Sequence, residues 1–137
     1  PAAYQKWAEA EVLLWKTDTQ SQLTTIGHLC REAMQAFASS LVERYQPSGV
    51  DPDVAHTVAR LRAIVAHQAG RWGETMKPCL DAIVVYWGTV CDLVQRQEHG
   101  AQREGQPLVW EDGRRVLFQT AVVMFEIDKA LGGGGRA

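Results

Sequence analysis

The sequence predicts an all-α fold: an antiparallel bundle of four principal helices with an additional short N-terminal helix or arm. Three observations predict it. Apolar residues recur in steps of three and four along four long windows. Residues that start and stop helices separate those windows. No window alternates apolar and polar side chains with the period of two that a half-buried strand needs.

The segment from Tyr4 to Trp15 is short and aromatic, and fits either a helix or an extended arm. Thr17-Asp-Thr-Gln-Ser21 then offers side-chain oxygens to the free N–H groups of a helix start. From Ser21 to Tyr45 the apolar residues Leu23, Ile26, Cys30, Met34, Phe37, Leu41 and Tyr45 form one stripe. Gly27 costs this helix about 1 kcal/mol relative to Ala, and the expected return is close approach of a neighbouring helix.

Gln46-Pro-Ser-Gly49 ends that helix. Asp51-Pro52 reads as an N-cap followed by proline in the first turn, with Val54, Val58, Leu61 and Val65 as the next stripe. Thr75 is placed to cap a third helix, whose stripe is Met76, Leu80, Ile83, Trp87, Val90 and Val94. The fourth, from Trp110 to Leu131, is apolar over more than half its circumference. It is therefore either central to the bundle or covered by a partner. Gly132 after Leu131 is a C-cap signal. Residues 1–131 read as a single helical domain, with 1–18 as the arm or short helix and 132–137 as a flexible Gly-rich tail. The start at Pro1 and the glycine tail suit one module of a larger protein.

At 137 residues, with 46% hydrophobic and 22% charged side chains and a formal charge of -2, the chain has ordinary globular composition. That near-neutral balance supplies no general attraction to nucleic acid or anionic lipid. Arg96, Arg103, Arg114 and Arg115 fall close together, so a local basic patch stands against the plainer reading of solvated helix ends. Cys30, Cys79 and Cys91 are odd in number with apolar neighbours. They read as reduced thiols packed as small hydrophobes in a cytoplasmic protein. Pro1-Ala-Ala-Tyr4 lacks the basic start and apolar core of a signal peptide, and no membrane span is expected.

Chemistry-bearing patterns are few. His28 and Glu32 are one helical turn apart, but the repeated Glu-x-x-His pairs of a bundle metal site are missing, so no metal or cofactor is expected. Nucleophile-elbow, phosphate-loop and dinucleotide motifs are also missing. Two polar groups remain. Arg96, Glu98 and His99 sit where the third helix meets the following loop, and cations there suit the negative end of the helix dipole. Arg62 and His67 lie five positions apart, which on a regular helix separates them by about 140°.

The Arg62-Ala-Ile-Val-Ala-His67 spacing, with the helical layout of residues 20–131, resembles prokaryotic HEPN domains. That resemblance implies an Arg/His pair contributed by two protomers, which cleaves RNA without metal. The imidazole moves the proton of a 2′-hydroxyl and the guanidinium stabilises the phosphorane. It also implies a bacterial defence or stress-response setting. HEPN nucleases usually carry a polar residue after the arginine, where this chain has Ala63.

The favoured reading is a non-enzymatic interaction module that forms a homodimer or docks a partner protein through Trp7, Trp15, Trp110, Phe118 and Phe125. The alternative is a HEPN-like ribonuclease, or an RNA-binding relative, with Arg62, His67, Arg96 and His99 as catalytic groups. Arg96, Glu98, His99, Arg114 and Arg115 are the ligand-contact candidates. A small-ligand cavity between the helices is a third reading.

Overall fold

The computed structural model describes residues 2–16, 20–95 and 107–132. Among them the fold is all-α, with no strand. It comprises α1 (Ala2–Leu14), α2 (Gln20–Tyr45), α3 (Thr57–Gln68), α4 (Met76–Val94) and α5 (Trp110–Ala130), and a short 3₁₀ turn, Ala69–Arg71, follows α3. None of these helices is long and apolar enough to cross a membrane.

The N-terminal segment is a helix, not an arm. Its residues are good helix formers, and Ala3, Ala10 and Leu14 bury one face. The two alanines let α1 lie close along α2, and Lys6 reaches Glu32 at 3.2 Å across the gap. Trp7 donates its indole N–H to the carbonyl of Leu117, 2.7 Å away on α5.

The α2 stripe is buried from Leu23 to Leu41, as its period demands. This helix, and not α5, is central: it packs against α1, α3, α4 and α5. Gly27 is where α4 comes in, because a Cβ there would stand 2.6 Å from Val94 Cγ1. Gln46 ends the helix in a left-handed conformation, φ 46°, and its N–H bonds back to Val42.

The next helix starts later than Asp51-Pro52 predicts. One oxygen of the Asp51 carboxylate accepts from Asp53 N–H at 2.9 Å, and Asp53 accepts from Ala55 N–H at 2.9 Å. These side chains stabilise turns that compete with the helix, so Thr57 is its first residue and Val54 is exposed. Thr75 is the N-cap of α4 but makes no side-chain capping bond.

At the start of α5, the Asp112 carboxylate accepts from Val109 N–H at 2.9 Å. This is the acidic half of a capping box, since valine at the N-cap has no acceptor. Gly132 sits just past the end of α5 at φ 100°.

Candidate functional site

Two surfaces carry functional potential. The first is a cleft of about 510 Å³ between α2, the start of α3 and the last turns of α4. Trp87, Cys91 and Val58 form its apolar lining; Arg31, His56, Arg62, Asp92 and Gln95 bring the charged and polar groups. Gly88 permits the shape, because a Cβ there would meet Val58 Cγ2 at 2.9 Å.

The polar groups of the cleft are organised by their neighbours. With the Gln95 amide oxygen assigned toward Arg31, it accepts from Nε at 3.0 Å and Nη1 at 2.8 Å. Arg62 lies beside Asp81, Nε to Oδ1 at 3.7 Å, and the other oxygen of Asp81 accepts from Lys77 at 2.8 Å. His56 Nδ1 is 2.7 Å from Asp51 Oδ2, and Nε2 is 3.5 Å from Asp53. The hydrogen bond to Asp51, then the negative charge of Asp51 and Asp53, raises the imidazole pKa above its ordinary value. The Asp53 N–H, and after it His56, holds the Asp51 carboxyl below the usual range. Thr57, Val58 and Ala59 also line the cleft. They form the first turn of α3, whose N–H groups have no intrahelical acceptors.

The second surface is the outer side of α5. Steps of three and four place Glu111, Arg114, Phe118, Val122, Phe125 and Lys129 on one stripe. Its apolar members are open to water: Phe118 is 39% exposed, Val122 42% and Phe125 56%. Arg114 lies over the Phe118 ring at 5.9 Å and Lys129 over Phe125 at 5.6 Å. At one end Trp110 meets Trp15, which is 62% exposed, with ring centroids 5.9 Å apart.

The residues singled out from the sequence are thus dispersed. Arg62 faces the cleft beside Asp81, whereas His67 is exposed and bonds Gln68 at 2.8 Å. Within one chain the fold does not bring that pair together. Arg114 pairs with Glu111, and Arg115 with Asp112 at 3.1 Å, both on α5 away from the cleft. Arg96, Glu98 and His99 lie outside the described residues, as does Arg103. Trp7 is half-buried between α1 and α5, which leaves Trp15, Trp110, Phe118 and Phe125 as the exposed candidates. Cys79 is exposed and so departs from the expectation of three packed thiols. Burial pushes Cys30 and Cys91 up to about 12, which keeps them protonated at neutral pH.

Sequence reasoning missed Arg31 and His56 as members of one site. The local signal is Asp51-Pro-Asp-Val-Ala-His56, a polar group ahead of an apolar stripe, which by sequence alone reads as helix initiation. Among the described residues no group of three or more His, Cys, Asp or Glu side chains forms a metal-binding cluster. Comparison with protein-family models, curated proteins and solved structures yields no match.

Proposed function

We propose that the chain is a non-enzymatic self-association module whose docking face is the outer side of α5. The observation that carries this reading is the run of exposed Phe118, Val122 and Phe125 along one helix face. Scattered surface apolar residues need no explanation, but a contiguous aromatic stripe marks a contact site.

The occupant we assign is a second copy, because the stripe is self-complementary when the outer faces of two α5 helices pair antiparallel about an axis level with the inward-facing Thr120. Phe118 then meets Val122 of the other copy. Glu111 and Lys129 lie eighteen positions apart, about five full turns, so both sit on the midline. Each acid therefore faces the lysine of the other copy. The two-fold axis makes every such contact twice. The stripe spans about 30 Å of helix, which places the contact at the small end of specific interfaces, with micromolar association expected.

The same proposal takes α2, α3, α4 and α5 as the principal helices of an antiparallel bundle and α1 as the additional one. The circuit of contacts supports it: α2 meets α3, α3 meets α4, α4 meets α5, and α5 returns to α2. The bacterial defence or stress-response setting that the HEPN resemblance implies, and the cytoplasmic location read from the cysteines, belong to this proposal too. The ribonuclease alternative rests on that resemblance alone, since Arg62 and His67 engage different neighbours.

Light scattering after gel filtration, from low to high micromolar concentration, tests the dimer. The expected result is a concentration-dependent shift toward the mass of two chains. Phe118→Asp and Phe125→Asp should abolish it while leaving helicity unchanged. Glu111→Lys and Lys129→Glu should each weaken it, and the double exchange should restore it. A monomer at every concentration, or a dimer indifferent to all four variants, overturns the reading.

A further inference from the structure

We infer that the inclined indole pair of Trp15 and Trp110, with the Glu11 carboxylate beside it, is a binding site for a trimethylammonium group.

The pair sits where the end of α1 meets the start of α5. Its ring planes are inclined by 50°, with centroids 5.9 Å apart. A parallel stack would use up the facing sides of both rings, whereas this inclination opens a wedge. A cation held by an aromatic ring lies within about 6 Å of its centroid. Centroids this close allow one cation to be within range of both rings at once. Trp15 is 62% exposed and Trp110 37%, so a solute can reach each of them.

The rings are held in place before any ligand arrives. Ordering a free side chain opposes binding, and a tethered ring has less freedom to lose. Trp15 donates its indole N–H to Glu11 Oε2 at 2.7 Å, and Trp110 donates to the carbonyl of Leu14 at 3.1 Å. Both tethers act through the ring edge and leave the π faces uncommitted.

Charge selects the class of ligand. Arg114 lies 5.9 Å from the Phe118 centroid, Lys129 5.6 Å from Phe125 and Arg44 5.2 Å from Tyr45. Each of those rings thus carries a cation of the chain itself. Trp15 and Trp110 carry none among the described residues, although tryptophan has the most attractive face for one. Glu11 is likewise without a Lys or Arg partner among the described residues, and what it accepts is the neutral indole N–H. Two ring faces and one carboxylate are therefore left to attract a cation from outside. A primary ammonium or a guanidinium brings several N–H donors, and the wedge offers a single carboxylate to receive them. A trimethylammonium group has no N–H to satisfy, and its methyl groups pack against the indole faces.

Choline, its neutral carbon analogue 3,3-dimethyl-1-butanol and phosphatidylcholine vesicles are the probes. The two solutes are titrated into ¹⁵N-labelled chain, and the indole N–H signals are followed. Choline should move the Trp15 and Trp110 signals and leave those of Trp72 and Trp87 in place, with a Kd on the order of 1 mM. The neutral analogue should bind at least about tenfold more weakly. Trp15→Leu, followed at Trp110, should weaken choline about fivefold, the loss of one ring face. Glu11→Gln keeps an acceptor for the indole and removes only the charge, and should weaken it about threefold. Unchanged far-UV circular dichroism establishes that both variants remain folded. Trp15-dependent sedimentation with the vesicles assigns the group to a lipid headgroup, and choline binding without it assigns a free solute. The proposal is overturned if neither indole signal moves at choline far above the millimolar range. It is also overturned if both variants bind choline unchanged, or if the neutral analogue binds equally well, which would mark a merely apolar surface.

Discussion

Four of the five tryptophans use the indole N–H to tie one part of the chain to another. Trp7 reaches Leu117, Trp72 reaches Ala130 at 3.0 Å and Trp110 reaches Leu14 at 3.1 Å. The carbonyls of Leu14 and Ala130 close α1 and α5, and helix-end carbonyls lack intrahelical donors. Trp87 donates to the Thr120 hydroxyl at 2.9 Å, which itself donates to Val116 O at 2.7 Å. Thr120→Val keeps the shape but leaves a buried indole N–H unpaired, so it should cost about 1–3 kcal/mol in urea unfolding, with Thr120→Ser close to wild type. Charge also acts at this scale, in the Asp51–His56 pair. The raised His56 contributes stability fully present below its ordinary value of 6.5 and lost as pH rises through its elevated folded value. The lowered Asp51 contributes stability present above its ordinary 3.8 and lost as pH falls through its depressed folded value. Thermal melts should therefore show a small loss of stability as pH rises above the ordinary imidazole value of 6.5, which His56→Gln lacks. The effect is small because both side chains are wet. None of these pairings could be read from residue types, since each joins an indole or imidazole to a group chosen by the fold.

The helices themselves were largely legible. The stripe from Leu23 to Leu41 is buried because a helix places residues three and four apart on one face whatever it packs against. The boundary of α3 was not, because Asp51 and Asp53 have two ways to satisfy backbone N–H groups and the turn prevails. Gly27 was legible in part: a glycine inside a helix announces close approach, but not that the neighbour is Val94. Gly27→Ala gains about 1 kcal/mol of helix propensity and loses more to overpacking, since Val94 is buried and branched. A net destabilisation of about 1–2 kcal/mol is expected in chemical unfolding. Added Val94→Ala should relieve part of it, appearing as non-additivity in the double-mutant cycle.

At the scale of the whole molecule, the apolar excess of α5 divides between core and surface. Val116, Leu117, Val123, Met124 and Ile127 face inward, and Phe118, Val122 and Phe125 remain outside. The dimer prediction belongs here, because it follows from how much of that helix the other four cover. Of the two expectations for this helix, central or partnered, the structure answers only the first: α2 takes the central position. What the sequence by itself determined was the helical class, the approximate helix spans and most of the inward faces. Those depend on backbone periodicity and local capping, which are properties of neighbours along the chain. Only the tertiary structure decided that Arg31, His56, Arg62 and Trp87 share one cleft and that Phe118, Val122 and Phe125 stay uncovered by the other helices. Those outcomes depend on the rotation and approach of separate helices, which small residues such as Gly27 and Gly88 set by allowing contacts that any side chain would block.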